Sequence, residues 1–392
     1  MVKVLILGGA GHIGAEIASE LRSIDSNAEI VLGDINEEKG REVARKCDGY
    51  FLKIDVEKEL NGNFLRNYDV VVNSIGPFYR FGILVLKAAL NAGVKYVDIN
   101  DDYDATMKAL ELVEEAKKNG FCALIGMGAT PGITNILSFL GSKKMDEVET
   151  IGTYWVWTGI DPDVGNAIIN HYFHAIDGFV PSYRNGKLVN VEALSEAEFF
   201  DFPEPIGRWE VANVGHPEPI TIPKYIKVKN VLNKGGIWPY ELSEFAKFLS
   251  MVGLSSLKEI RFRDVIFKAR DLAVELATAI HTLMPEDRLQ RMMEKIYNRL
   301  GNFALKGLGL SVFLKGLKNS EKVEIKYSIA FEDATLATAL PAAIAAKEIM
   351  KSEESGIFPP EANIIDIERL LNMTLDSAEI FEETTKRTVL KI

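Results

Sequence analysis

The chain has 392 residues, more than one hydrophobic core usually serves, so we expect at least two domains. Its formal net charge of −11 disfavours a nucleic-acid partner, because binding a phosphate backbone requires a basic face. The apolar stretches fall short of the ~20 residues of a membrane-spanning helix, and the N-terminus lacks the features of a signal peptide, so we expect a cytoplasmic protein without a membrane span.

The first third of the chain alternates short apolar runs with segments of helical periodicity. Runs of this length are typical of strands buried on both faces of a parallel sheet. The alternation with helices predicts a doubly wound α/β sheet, a Rossmann domain, over residues 1–132. The predicted strands are 2–7, 29–32, 50–54, 69–73, 96–99 and 121–125.

A different pattern follows residue 132. Residues 149–157 alternate as an antiparallel strand does, and Asn185-Gly186 is a hairpin signal. These features predict a second, α+β domain over residues 133–332, with a helical block at 253–300. An alanine-rich helical segment then extends over residues 333–392.

The strongest motif is a glycine-rich turn between the first strand and the first helix. Its glycines, Gly9, Gly11 and Gly14, have the GxGxxG spacing of dinucleotide-binding turns. In such turns the first glycine permits the tight bend, the second leaves room for the pyrophosphate, and the third allows close helix–strand packing. The predicted cofactor contacts at this turn are Gly9, Ala10, Gly11, His12, Ile13 and Gly14.

Further cofactor contacts are predicted where later strands end. Asp34 ends the second strand, where a carboxylate accepts hydrogen bonds from ribose hydroxyls and repels a 2′-phosphate, so NAD is favoured over NADP. Asp34 could instead cap the following helix. Asp55 follows the third strand and could contact the adenine or lie in a solvated turn. The loop Ser74-Ile75-Gly76 follows the fourth strand and is expected near the nicotinamide half.

The order of these motifs resembles the saccharopine dehydrogenase-like family. The turn GGAGHIG is followed by a GPF-aromatic loop at 76–82, YVD at 96–98, a Pro-Gly turn at 130–132 and a GIFPPE segment at 356–361. The resemblance implies a cofactor contact at Thr130, a dimer formed by the central domain, and a C-terminal segment that returns to the Rossmann domain. It also implies a small-molecule substrate and the interconversion of an amine and an imine. The block 253–300 has no counterpart in the better-known members of the family.

Oxidation of an amine by NAD requires a proton acceptor and, for a substrate that bears a carboxylate, a cationic group. Asp101 and Asp102 follow the fifth strand, and each could be catalytic or could cap the next helix. Arg80 could bind carboxylate or be solvated, and His216 could move a proton or be structural. The predicted catalytic set is Asp101, Asp102, His216, Tyr79, Arg80 and Arg208.

Other classes of protein remain as alternatives. A short-chain dehydrogenase begins with a similar turn, but its chemistry uses a tyrosine with a lysine four positions later on a helix of the Rossmann domain. None of the tyrosines before residue 140 has such a lysine. A non-catalytic NAD-binding sensor and a reductase of a lipid-like substrate are both compatible with the sequence. No metal site is predicted, because Cys47 and Cys122 lack neighbours at ligand spacing and the His171/His174 pair lacks a third ligand.

Overall fold

The computed structural model describes residues 2–158, 166–238, 240–279, 286–301, 303–375 and 378–387. The chain forms two compact units, each built from two stretches of sequence. Unit 1 comprises Met1–Ile136 and Thr335–Ser377, and unit 2 comprises Leu137–Ala334 and Ala378–Ile392. Among the described residues, no helix has both the length and the apolar character needed to cross a membrane.

Unit 1 contains a parallel sheet of seven described strands, with the order β17-β6-β5-β4-β1-β2-β3. The doubly wound Rossmann sheet predicted from the sequence is therefore confirmed. Its buried core is rich in valine, leucine and isoleucine, which suits strands covered on both faces. The strands are β1 (Lys3–Leu7), β2 (Glu29–Asp34), β3 (Tyr50–Lys53), β4 (Val70–Asn73), β5 (Lys95–Asp98), β6 (Cys122–Leu124) and β17 (Gly356–Phe358).

The helices of unit 1 connect these strands. Helix α4 ends at Gly93, whose φ of 72° is the left-handed conformation that terminates helices. The helices in this half are α1 (His12–Ile24), α2 (Glu37–Lys46), α3 (Gly62–Leu65), α4 (Phe78–Ala92), α5 (Tyr103–Leu110), α6 (Val113–Lys118) and α7 (Ile133–Ser142), the last of which runs on into unit 2.

The C-terminal segment returns to the Rossmann sheet, as the family resemblance implied. Helix α14 (Ala334–Glu348) precedes β17, which pairs in parallel with β6 as the edge strand. Lys95 at the start of β5 fixes the end of this helix, because its Nζ donates to the carbonyl oxygens of Ile349 at 2.7 Å and Ser352 at 2.5 Å. A lysine at this end also complements the negative end of the helix dipole. Helix α15 (Ile367–Leu375) follows.

Unit 2 contains a mixed sheet of nine described strands. Its main path is β10-β11-β12-β7-β15-β16-β18, and β8 and β9 form a hairpin beside β12. The Asn185-Gly186 turn joins β8 to β9, as expected from the sequence. The strands are β7 (Glu147–Thr158), β8 (Phe179–Arg184), β9 (Lys187–Glu192), β10 (Glu198–Asp201), β11 (Arg208–Asn213), β12 (Asn230–Trp238), β15 (Leu308–Lys318), β16 (Glu321–Phe331) and β18 (Ile380–Arg387).

Two features of unit 2 correct the sequence-based expectations. The block 253–300, predicted to be helical, contains a separate hairpin of β13 (Glu259–Phe262) and β14 (Val265–Lys268). The segment 333–392, predicted to be helical and to return as a whole, ends in β18, which pairs with β16 of unit 2. The three strands show little apolar periodicity, because β13 and β14 have four residues each and β18 is mostly polar.

The described helices of unit 2 lie between these strands. Arg270 is almost fully buried and joins the 253–300 block to α8, because its guanidinium contacts His174 at 3.2 Å and Asp177 at 3.4 Å. The helices are α8 (Asn166–Ala175), α9 (Glu218–Tyr225), α10 (Tyr240–Met251), α11 (Ala269–Thr278), α12 (Glu286–Leu300) and α13 (Phe303–Lys306).

Candidate functional site

The glycine-rich turn connects β1 to α1 at the carboxyl edge of the unit 1 sheet. Gly8 makes the bend with a φ of 81°, a role that the sequence had assigned to Gly9. A Cβ on Gly9 would instead lie 2.8 Å from Leu32 Cβ. A Cβ on Gly14 would lie 2.2 Å from the Gly8 carbonyl oxygen, so Gly14 permits the close approach of helix and turn.

The helix that follows this turn can hold an anion at its start. Gly11 is the N-cap of α1 and has no side-chain capping bond. A Cβ on Gly11 would meet only the Gly8 carbonyl oxygen, at 3.0 Å. His12 and Ile13 form the first turn of α1, where backbone N–H groups and the helix dipole attract phosphate. The turn therefore has the form that a pyrophosphate requires.

Asp34 lies beside the glycine-rich turn. Its Oδ2 accepts a hydrogen bond from the Ala10 amide at 3.1 Å, and its Oδ1 accepts one from the Asn36 amide at 2.9 Å. The helix-capping alternative is not what the structure shows, because α2 is capped by the Asn36 side chain, which accepts from Lys39 N. Asp34 therefore places a negative charge next to the turn.

The loop after β4 packs against the same turn. Ser74 Oγ donates to the Leu7 carbonyl oxygen at 2.8 Å and would lie 2.7 Å from a Cβ on Gly14. The Ile75 amide donates to Asn73 Oδ1 at 3.1 Å. Gly76 joins Pro77 by a cis peptide bond, and Pro77 is the N-cap of α4. Ser74 and Ile75 thus lie next to Gly8, where the sequence predicted a cofactor contact.

Asp55 and Arg80 each form an ion pair with a side chain at the protein surface. Asp55 accepts from Lys58 Nζ at 2.6 Å in an exposed turn, and this hydrogen bond lowers the pKa of the Asp55 carboxyl. The Arg80 guanidinium pairs with Glu57, whose Oε1 and Oε2 each lie 3.0 Å from Nη2, and it also lies over the Phe81 ring at 4.7 Å. A substrate carboxylate would compete with Glu57 for the Nε and Nη2 groups of Arg80.

Asp102 connects the loop after β5 to helix α4. It is fully buried and is the N-cap of α5, but its side chain makes no capping bond to that helix. Instead its Oδ2 accepts from the Tyr79 amide at 2.8 Å, in the first turn of α4. Asp101 is partly buried beside it. The structure thus brings Tyr79, Asp101 and Asp102 together. One oxygen of Asp102 is used in the hydrogen bond that connects its loop to α4.

The loop after β6 contains Thr130. Within it, the Gly128 amide donates to the Pro131 carbonyl oxygen, and Gly132 donates to Asn135 Oδ1 at 3.1 Å. Asn135 Nδ2 in turn donates to Glu361 Oε2 at 2.9 Å, and both side chains are buried. The GIFPPE segment therefore supports the loop from the distant C-terminal part of the chain.

In unit 2, His216 lies in a buried aromatic and acidic cluster. Its side chain is 2% exposed, and Nδ1 lies 3.5 Å from Oε2 of Glu218, which is also buried. The imidazole ring lies 5.3 Å from the Trp155 ring and 5.4 Å from the His171 ring, between centroids. Within the described residues, neither ring nitrogen of His216 has a hydrogen-bond partner. An imidazole placed in this way can exchange a proton with Glu218 or with a bound ligand.

Arg208 is remote from His216 within unit 2. It begins β11, is exposed, and lies over the Phe199 ring at 5.8 Å. His216 follows the other end of this strand, so the two residues are separated by roughly 17 Å of extended chain. The structure does not combine Arg208 and His216 in one site.

Comparisons with known proteins agree with this geometry. The family described as "Saccharopine dehydrogenase NADP binding domain" matches residues 4–124. The structure of apo saccharopine dehydrogenase (L-Glu forming) from Saccharomyces cerevisiae superimposes with a TM-score of 0.67, covering 98% of this chain and 100% of that one at 15% identity.

The saccharopine dehydrogenase-like fold therefore extends over both units, and the predicted resemblance is confirmed. A second relative, shikimate dehydrogenase (NADP(+)) from Archaeoglobus fulgidus, is 29% identical over 170 residues. That match covers 42% of this chain and 54% of the relative, so it spans about half of the relative's length. The chain thus has the fold of an NAD(P)-binding oxidoreductase of the saccharopine dehydrogenase type.

Sequence reasoning missed several groups within each of the two units. Gly8 was overlooked because three other glycines already satisfied the motif. Glu361 lies in a segment used only for the family resemblance, and Glu218 carries no motif of its own in the sequence. Asp98 ends β5 with a buried carboxylate, and its position at the end of an apolar strand was the available signal.

Proposed function

We propose that the protein is an NAD-dependent dehydrogenase that interconverts an amine and an imine on an amino-acid-like substrate. The observation that carries the proposal is the glycine-rich turn with Asp34 beside it, in a chain with the saccharopine dehydrogenase fold. The alternative of a non-catalytic NAD-binding protein predicts the same cofactor site without turnover.

The preference for NAD rests on the charge of Asp34. Its carboxylate accepts hydrogen bonds from the amides of Ala10 and Asn36, two donors that could otherwise bind a phosphate. A 2′-phosphate on the ribose would therefore face a fixed negative charge. The description of the matching family indicates NADP, whereas the Asp34 carboxylate indicates NAD. We follow Asp34, because it is a residue of this chain and the description applies to the family as a whole.

For the chemistry, we propose that His216 takes the amine proton while hydride passes to the nicotinamide. Its Nδ1 lies 3.5 Å from Oε2 of Glu218, and histidine is the side chain that most often acts as a general base in enzymes. The Trp155 ring beside it offers a face to a cation. Tyr79, Asp101 and Asp102 remain candidates for polar contacts with the substrate.

The proposal is tested by oxidation of a panel of amino acids and N-substituted amino acids, followed by the absorbance of NADH. We expect turnover with one class of amine, loss of turnover in Gly11→Val, and a fall of about 100-fold in kcat for His216→Gln, the scale of one general base. Tight NAD binding with no turnover on any amine would favour the non-catalytic alternative. Full activity of His216→Gln would remove this residue from the mechanism.

We also propose that the protein is a cytoplasmic homodimer. Apolar side chains in the region 240–266 are unusually exposed for a soluble surface, among them Phe248, Met251, Val265 and Ile266. Symmetric dimers are the commonest way in which proteins cover such surfaces.

A further inference from the structure

Asp98 ends β5 with a buried carboxylate that no step of the proposed mechanism uses. The residue is 3% exposed. Its Oδ2 accepts from the Tyr96 hydroxyl at 2.9 Å. Its Oδ1 accepts from the backbone amides of Asn100 at 3.0 Å and Gly126 at 2.8 Å.

These bonds continue on both sides of Asp98. Toward β4, the Tyr96 hydroxyl accepts from Asn73 Nδ2 at 3.1 Å, and Asn73 Oδ1 accepts from the Ile75 amide. Toward α5, Asn100 Oδ1 accepts from the Asp102 amide at 3.0 Å.

Three loops at the carboxyl edge of the sheet are joined in this way. They are the loop after β4, with Ser74 and Ile75, the loop after β5, with Asp101 and Asp102, and the start of the loop after β6 at Gly126. Asp102 extends the network to α4 through the Tyr79 amide. Among the predicted nicotinamide-side contacts, Ile75 is therefore connected to the Asp98 carboxylate through Asn73 and Tyr96.

We propose that Asp98 is a positioning residue that, when ionised, holds these three loops in the arrangement that binds the nicotinamide cofactor, and that its protonation weakens cofactor binding. The inference rests on the proposed cofactor function.

The donors around Asp98 match an ionised carboxylate. Three N–H or O–H groups point at its two oxygens. A proton on Oδ1 would oppose the amides of Asn100 and Gly126. A proton on Oδ2 would donate to the Tyr96 hydroxyl oxygen. The hydroxyl hydrogen of Tyr96 would then have lost Oδ2 as its acceptor. A buried donor without a partner is costly, so either protonated form disturbs at least one loop.

The hydrogen-bond donors lower the pKa of Asp98, whereas burial raises it, and the effect of burial is larger. Desolvation raises the pKa of Asp98 from 3.8 to about 6, although its three donors act in the other direction. Among its neighbours the titratable groups are Tyr96, on β5, and Asp101, which raises the pKa further by charge repulsion. Burial also raises the pKa of Tyr96 well above 10, so the hydroxyl remains a donor. Asn73 on β4 and Gly126 after β6 contribute neutral groups.

Stability and binding should then respond to acid in opposite directions. Between pH 6 and 3.8 the folded chain binds more protons at Asp98 than the unfolded chain does, so this residue's contribution to stability rises as the pH falls. Cofactor binding should fall over the same range, because the loops lose their ionised anchor. If Asp98 only supported the fold, cofactor binding would not weaken in acid while the contribution of Asp98 to stability rises.

The test compares NAD binding, by calorimetry, with the free energy of unfolding between about pH 7.5 and pH 5. At one pH unit below its pKa about a tenth of Asp98 is ionised, so the apparent Kd of the unaltered protein should rise about tenfold. Asp98→Asn should bind NAD at pH 7.5 at least as weakly as the unaltered protein does at pH 5. The Kd of Asp98→Asn should then change little with pH.

Two further variants complete the design. Asp69→Asn, an exposed aspartate at the amino edge of the sheet, should keep the unaltered pH dependence. If Asp98→Asn does not fold, Tyr96→Phe removes one donor, and the acid midpoint for binding should move to higher pH. A pH-independent Kd in the unaltered protein, or a tenfold acid response retained in Asp98→Asn, would overturn the proposal. Absence of NAD binding at pH 7.5 would instead contradict the proposed function.

Discussion

The glycines of the turn differ in what a side chain would meet at each position. A Cβ on Gly11 would lie 3.0 Å from one carbonyl oxygen, and the backbone there is extended, with φ −70°. A Cβ on Gly14 would lie 2.2 Å from the same oxygen. The first substitution therefore affects the ligand space and the second affects the packing of the fold.

We expect Gly11→Val to lower NAD affinity at least ~10-fold, or ~1.4 kcal/mol, while the thermal melting temperature without cofactor stays nearly unchanged. Gly14→Val should instead lower the melting temperature, since overpacking of this kind costs ~1–3 kcal/mol. Unchanged NAD affinity in a folded Gly11→Val protein would show that the turn is only structural.

Individual site residues were predictable to the extent that a motif or a strand end marked them. Asp34 and Ser74 lie beside the turn because strand ends of a parallel sheet converge at one edge. The partners of Arg80 and Asp102 were not predictable. Glu57 and Tyr79 lie 23 residues from them in the sequence, and only the fold brings each pair together.

Among the elements, the C-terminal return depends on a few long-range contacts. Lys95 Nζ donates to carbonyl oxygens at the end of the segment that contains α14, more than 250 residues away in sequence. These carbonyls belong to the turn that directly follows α14. The lysine therefore links β5 to the segment that leads to β17.

Lys95→Met should destabilise unit 1 by roughly 2 kcal/mol, the scale of a hydrogen bond from a charged donor. Lys117→Met is a matched control, because Lys117 makes an exposed ion pair with Glu114 and should contribute under about 1 kcal/mol. Denaturant unfolding measures both variants. Equal stability of Lys95→Met and Lys117→Met would mean that the return does not depend on this contact.

The regular elements of unit 1 were predictable because their apolar periodicity is strong. The strands β17 and β18 were not, since β17 has three residues and β18 is mostly polar. What makes each a strand is the partner it pairs with, β6 or β16, and pairing over such sequence distances is invisible in local composition.

For the whole molecule, we expect a dimer formed through the exposed apolar side chains of the region 240–266. Met251 is 78% exposed and Phe248 is 54% exposed, both on α10. Sedimentation at micromolar concentration should give a dimer for the unaltered protein and a monomer for the double variant Phe248→Asp/Met251→Asp. Tyr50→Asp, which alters an apolar residue on β3 that is 65% exposed, should remain dimeric. A monomeric unaltered protein would contradict the proposal.

We propose that this chain binds NAD in preference to NADP, and parallel titrations with NADH and NADPH measure that preference. NADH should bind at least ~10-fold more tightly, a difference of ~1.4 kcal/mol that originates in the Asp34 carboxylate. The preference should shrink in Asp34→Ser and persist in Asp69→Asn. Tighter binding of NADPH by the unaltered protein would contradict the account.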